Sequence, residues 1–323
     1  MNKIEPQPLA SALNAEVLAS DGTIPSQEAV NETPPDALDG LGFLDILRRV
    51  TSTDWLLLAL IVALYVPTFR ELMKEWDAPH APQSYSLLIV PASLLLAYMM
   101  RLRGVGIVPK SDATGLAIVT LGASITCGGS LLGSMTFSAI GFVVTIAGVV
   151  RARFGREALR RFWFPVAYLL AVVPLPHELM NQMTFSLQQL SVKIAAVLLK
   201  PFGDVTVEGT RIHLPSYTLD VIAPCSGMTI ILPLLVLTVF YLYMVVAPLW
   251  KKVGLFLFAV PTALIVNSVR VALIGVVGES FGGKAAETFH DWSGFITVGA
   301  GFAVLFYVAK EIKCNQVSDD IVL

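Results

Sequence analysis

Apolar residues run along this chain in long blocks rather than short alternations, and charges, Arg270 apart, fall in the gaps between them. A hydrocarbon layer of roughly 30 Å needs about 20 helical residues per crossing. Blocks near that length predict about eight membrane-crossing helices. They fall at about Asp54–Phe69, Tyr85–Met100, Ala113–Gly128, Leu131–Val150, Phe162–Pro174, Ser226–Trp250, Val253–Gly278 and Trp292–Lys310. The fifth is short and interrupted by Pro165 and Pro174. Between it and the sixth lies a longer mixed segment, Leu175–Pro224. Its first half sets Leu179, Met183, Leu187, Leu190, Ile194, Val197 and Leu198 at helical spacing, as in an amphipathic helix lying along a membrane surface. Beyond Pro201, apolar and polar residues alternate around Glu208-Gly209, which predicts a small β-hairpin leading to Cys225. The expected fold is an all-α integral membrane protein with an outer-face amphipathic helix and a small β-hairpin.

Composition agrees with lipid as solvent: 55% of residues are hydrophobic and 14% charged, where a soluble domain carries about 25% charged. The formal net charge of -2 gives no electrostatic reason to expect nucleic acid as a partner. Residues Met1 to Gly40 are polar and lack the apolar core of a cleavable signal. They bury too little apolar surface to fold alone and are expected to form a disordered cytoplasmic tail. A membrane domain over 41–312 and a short cytoplasmic tail over 313–323 complete the expected organisation.

The basic residues orient the spans. With the N-terminus inside, fifteen lysines and arginines fall in inner segments and six in outer ones, Arg270 within a span completing the 22. That is a positive-inside bias with both termini cytoplasmic. The Lys251-Lys252 pair after the sixth span fixes the later helices in the same sense.

Three cysteines, Cys127, Cys225 and Cys314, are too few and too scattered for a disulfide framework or a CxxC metal site. Cys225 stands in Ala223-Pro-Cys-Ser-Gly-Met, where the backbone turns from loop into helix, with Ser226 and Gly227 supporting the turn. A thiol there faces the positive end of a helix dipole, which favours thiolate, and the helix N–H groups could bind an oxyanion. Taken alone, a membrane cysteine is more often a small packing residue. Arg270 changes that balance. It lies inside the seventh span, where an arginine costs about 2.5–3.5 kcal/mol and marks function by default. Asn267, three residues earlier, shares its helix face. His290, followed by Asp291 and Trp292, precedes the eighth span on the same outer side and can exchange protons near neutral pH. Topology, assigned from basic residues alone, thus brings Cys225, Arg270 and His290 to one membrane face, the set that thiol acyl transfer requires. No histidine pair has metal-ligand spacing, and neither metal nor cofactor is expected.

At these residues the chain resembles the exosortase/archaeosortase family of membrane cysteine transpeptidases. The resemblance is carried by Pro224-Cys-Ser-Gly before one span, Asn267-Ser-Val-Arg-Val in the next and His290-Asp-Trp-Ser-Gly before the last. Val173-Pro-Leu-Pro, Leu187-Gln-Gln-Leu and Gly209-Thr-Arg-Ile-His-Leu-Pro also fit, so that it covers roughly Trp55 to Lys310. It implies a multi-pass plasma-membrane enzyme whose partners are secreted proteins ending in a short motif, a transmembrane helix and a basic tail. Cys225 would be the nucleophile, Arg270 the transition-state stabiliser and His290 the general acid and base. Many members carry a His-Gly pair before the second span where this chain reads Ser84-Tyr-Ser-Leu, so the subfamily, its signal and the acceptor are left open. Two other functions use the same residues differently. A transporter or channel would hold an anion on Arg270, and a scaffold of a surface-polymer assembly system would need no chemistry at Cys225.

Overall fold

The computed structural model describes residues 52–77, 85–102 and 112–316. The expected N-terminal tail, His80, Ser84 and the last residues of the expected C-terminal tail lie outside them. The elements are helices α1 (Ser52–Asp77), α2 (Ser86–Leu102), α3 (Ala113–Leu131), α4 (Met135–Arg161), α5 (Trp163–Tyr168), α6 (His177–Leu199), α7 (Met228–Met244), α8 (Leu249–Phe281) and α9 (Gly283–Glu311). Strands β1 (Thr206–Glu208), β2 (Arg211–His213) and β3 (Thr218–Asp220) form an antiparallel sheet in the order β1-β2-β3. The hairpin turns at Gly209, whose φ of 60° suits glycine. The third strand is additional to the predicted hairpin.

Among the described residues five helices are long and apolar enough to span a membrane: α1, α3, α4, α8 and α9. The count reaches six if the pair Trp163–Val172 and His177–Phe202 makes one broken span. That pair bends by 75° where Pro174 and Pro176 remove backbone donors. Helices α2 and α7 are apolar but 17 residues long, about 25 Å at the helical rise. Eight full-length spans are therefore not established. The sixth predicted span shortens because the chain turns extended at Val245 and Pro248 opens the next helix. The eighth lengthens: α9 begins at Gly283, so His290 and Trp292 lie inside the helix rather than before it.

Helix α6 turns most of its predicted apolar stripe outward, as an amphipathic helix lying along a membrane would. Its buried residues are Ser191, Val192, Ala195, Ala196 and Leu199, while Leu179, Met183, Leu190, Val197 and Leu198 of the predicted stripe are exposed. Without water to expel, helices in lipid associate through close packing of small residues, and the large side chains turn outward. The α3–α4 pair obeys the same rule: a Cβ on Gly122 would lie 2.7 Å from the Thr145 backbone nitrogen. Thr145 Oγ1 there lies 2.6 Å from Tyr65 Oη, which accepts from Thr126 Oγ1 at 3.0 Å, so the buried hydroxyls satisfy one another.

One core joins α6, the sheet, α8 and α9 through Val192, Leu199, Ile212, Val221, Val271 and Ala286, and Cys225 is part of it. A second core closes the opposite end of α8 and α9, around Leu255, Ala309 and Cys314. There Lys251 Nζ donates to the Ile312 carbonyl at 2.7 Å and Lys252 Nζ to that of Leu242 at 2.8 Å. The lysine pair read as a topology signal thus also caps the C-terminal ends of α9 and α7.

Candidate active site

Cys225 is presented by a short 3-10 turn, Ala223–Ser226, at the exit of the sheet. Strand β3 delivers the chain to Val221, whose N–H donates to the Thr210 carbonyl at 3.0 Å. Gly227, with φ of 94°, then redirects it into α7. Side chains from neighbouring elements hold the carbonyls of this turn. Gln188 of α6 donates to Val221 O. Thr229 Oγ1 donates to Pro224 O at 3.0 Å, Asn267 Nδ2 to Cys225 O at 2.8 Å and Ser191 Oγ to Ser226 O at 3.3 Å. Asn267 Nδ2 also donates to Ser191 Oγ at 3.1 Å. Cys225, Ser226 and Asn267 are all buried.

The start of α7 differs from the expected oxyanion site. Ser226 Oγ accepts from Met228 N at 3.2 Å, and the Gly227 carbonyl accepts from Ile230 N at 3.0 Å and Ile231 N at 2.8 Å. Most first-turn donors are therefore already engaged within the chain. Burial pushes the Cys225 thiol above its ordinary pKa, and the positive charge of Arg270 pulls it partly back. The resting group is a thiol, where the helix terminus alone would favour thiolate.

Arg270 is buried in α8, one turn beyond Asn267. Its Nε donates to Ser293 Oγ at 2.9 Å and its Nη2 to the His290 carbonyl at 2.9 Å. Ser293 Oγ in turn donates to the same carbonyl at 3.2 Å. The guanidinium is thus fixed to α9 by two of its five N–H groups. His290 Nδ1 lies 3.3 Å from Asp291 Oδ1, and its imidazole is largely covered while the carboxylate is exposed.

The named residues accordingly meet in linked pairs: Cys225 with Asn267, Arg270 with His290, and His290 with Asp291. The Arg270 charge reaches the thiol. Cys127 is exposed and Cys314 is buried in the opposite core, and both are free thiols. Among the described residues no group of three or more histidine, cysteine, aspartate or glutamate side chains could hold a metal ion.

A family model described as transmembrane exosortase matches residues 76–307, more than half of the chain and every residue of this cluster. The chain belongs to the transmembrane exosortase family. No curated protein and no solved structure matches it. The match together with the apolar helices makes this exosortase a multi-pass membrane protein.

Sequence reasoning named Ser293 and Gln188 only as parts of motifs and gave them no role, and it missed Ser191. A signal was available in all three. Gln188 and Ser191 are polar residues three apart on α6, the spacing that singled out Asn267 and Arg270.

Proposed function

We propose that this exosortase is a membrane cysteine transpeptidase that cleaves C-terminal sorting signals through a thioacyl intermediate on Cys225. The observation carrying this reading is the linked network of Cys225, Asn267, Arg270, Ser293 and His290, drawn from the nucleophile turn, α8 and α9. A structural arginine needs only a partner; this one acts on a buried thiol while anchored to the helix that bears a histidine.

In this scheme the substrate carbonyl settles beside Cys225 Sγ. His290 takes the thiol proton as Sγ attacks, because burial holds the resting group protonated. The C=O electron pair moves onto oxygen, where the uncommitted N–H groups of Arg270 hold it. Collapse breaks the C–N bond, and the imidazolium proton goes to the leaving amine. An incoming amine, or water, then attacks the thioester while His290 removes its proton; collapse breaks the C–S bond, and His290 returns the proton to the departing Sγ. Asp291 orients the imidazole through Nδ1.

Helical spacing supports an outer-boundary site. From Lys251 to Arg270 the helix rises about 28 Å, close to one hydrocarbon thickness. If the Lys251-Lys252 pair marks the cytoplasmic boundary, Arg270 falls near the opposite one. In this topology α2, the bent α5–α6 pair and α7 complete about eight crossings in a locally thinned layer. The test is co-expression with a secreted reporter ending in a short motif, a transmembrane helix and a basic tail. Processing should be lost in Cys225→Ala, and a thiol-labile adduct at Cys225 should accumulate when the acceptor is limiting. Full processing by Cys225→Ala would overturn the assignment.

A further inference from the structure

Helix α6 touches the nucleophile turn in a way that the proposed chemistry does not itself require. Gln188 and Ser191 lie one helical turn apart on one face of α6. They hold carbonyls on either side of Cys225: Gln188 that of Val221, four residues before it, and Ser191 that of Ser226, immediately after it. Ser191 also accepts from the Asn267 amide that holds the Cys225 carbonyl itself. Ser191 is fully buried, as are Ser226 and Asn267, so no water competes for these bonds.

The opposite face of α6 carries exposed Leu179, Met183, Leu190 and Val197, too apolar a surface to be turned to water. The helix therefore joins two environments: large apolar side chains outward, and two hydrogen-bonding side chains clamped onto the turn that bears the thiol. Not every buried hydroxyl bonds another element. Ser268 and Thr238 donate to carbonyls of their own helices four residues back, at 2.8 and 2.6 Å, and reach no other element.

We propose that Ser191 and Gln188 are positioning residues for Cys225, splinting the nucleophile turn from α6. The proposal rests on Cys225 being the reactive thiol, and its test does not depend on knowing the substrate. The full chain, reconstituted in lipid nanodiscs, is alkylated with iodoacetamide across a pH series, and labelling at Cys225 is read by peptide mass spectrometry. Removing one clamp bond should loosen the turn and admit water and reagent. Ser191→Ala and Gln188→Leu should each raise the alkylation rate by about tenfold, the value of one buried hydrogen bond. Because burial is the larger influence on this thiol, the midpoint of the alkylation profile should fall toward the ordinary thiol range. Reporter processing should fall in the same variants.

Ser268→Ala is the control, a buried serine of α8 that bonds only its own helix, and it should move neither rate nor midpoint. Unchanged alkylation in both Ser191→Ala and Gln188→Leu would overturn the clamp, as would an equal response in Ser268→Ala. If the clamp variants alter alkylation while Cys225→Ala still processes the reporter, the positioning stands and the transpeptidase assignment fails.

Discussion

Replacing Arg270 by lysine keeps a positive charge at the same height in α8 and removes only the planar fork. The wild-type guanidinium commits Nε to Ser293 Oγ and Nη2 to the His290 carbonyl, both at 2.9 Å, leaving its other N–H groups free to meet an oxyanion. A lysine ammonium is a single donor centre on a flexible stem. It cannot reach both α9 acceptors and also face the thiol. At least one hydrogen bond from a charged donor is lost, worth about 1.5–3 kcal/mol. If that loss falls on the transition state, each 1.36 kcal/mol is a factor of ten, so Arg270→Lys should process a tailed reporter roughly 10- to 150-fold more slowly.

The assay is a pulse-chase of the reporter in cells, normalised to enzyme abundance in the membrane fraction. Abundance matters because a loosened α8–α9 contact would also lower yield. The charge-only account makes the opposite prediction, since an anion-binding site in a transporter or a pairing charge in a scaffold would accept lysine. Processing by Arg270→Lys at half the wild-type rate or better, at equal abundance, would refute the claim that the fork matters.

Gly227→Ala places a Cβ 3.2 Å from Asn267 Nδ2 at a left-handed φ of 94°, so the backbone strain alone should cost roughly 1–2 kcal/mol. Processing should fall more than the thermal midpoint does; a variant with unchanged processing would show that the Gly227 turn does not set the position of Cys225. Gly122→Ala should behave in the opposite way, because its Cβ would run into Thr145 Oγ1 and sit 2.7 Å from Thr145 N, forcing α3 and α4 apart. It should cost about 1–3 kcal/mol of stability, read as membrane abundance, with normal Cys225 alkylation in the protein that remains. Asp112, at the N-terminus of α3, has its carboxyl held from 3.8 down to about 2 by hydrogen bonds from Thr114 and then Arg151. A depressed carboxylate contributes stability above its ordinary pKa and loses it as pH falls through the folded value. The thermal midpoint in detergent should therefore drop between pH 3.8 and about 2, and Asp112→Asn should flatten that drop; an unchanged profile would remove Asp112 as its source.

The helical blocks were legible because lipid leaves only intrasegment hydrogen bonding for a crossing chain, so apolar length alone places an element. Their ends were not, since polar residues such as Lys284, Glu287 and Asp291 continue α9 without an apolar signal. Which face of α6 packs against the protein was not legible for a related reason. Apolar periodicity identifies a stripe that avoids water, but in lipid the packed stripe is the one with small residues, here Ser191, Ala195 and Ala196. Cys225, Asn267, Arg270 and His290 stood out as polar interruptions of apolar runs. Which donors remain free around them was not readable, because that depends on the Gly227 carbonyl and the Ser226 hydroxyl folding back onto the first turn of α7.

The cluster has a simpler grammar than its scatter along the chain suggests. It is built from three pairs of residues three apart: Gln188 and Ser191 on α6, Asn267 and Arg270 on α8, His290 and Ser293 on α9. Each pair occupies one helix face, with Cβ atoms about 5–6 Å apart. On α8 the pair fixes the central distance, since residue 267 holds the Cys225 carbonyl while residue 270 carries the charge. Nucleophile and charge are therefore spaced by the pitch of one rigid helix rather than by loops. On α9 the acceptors of residues 290 and 293 take the guanidinium, so the bonds that offset the cost of burying Arg270 also set the rotation of α9 against α8. Lone hydroxyls such as Thr238, Thr262, Ser268 and Thr297 instead donate to the carbonyl four residues back on their own helix and build nothing between helices. In a chain whose solvent is lipid, a polar pair at one-turn spacing is the stronger mark of a constructed site, because a single hydroxyl can be satisfied at home and a pair that includes an amide or a guanidinium cannot.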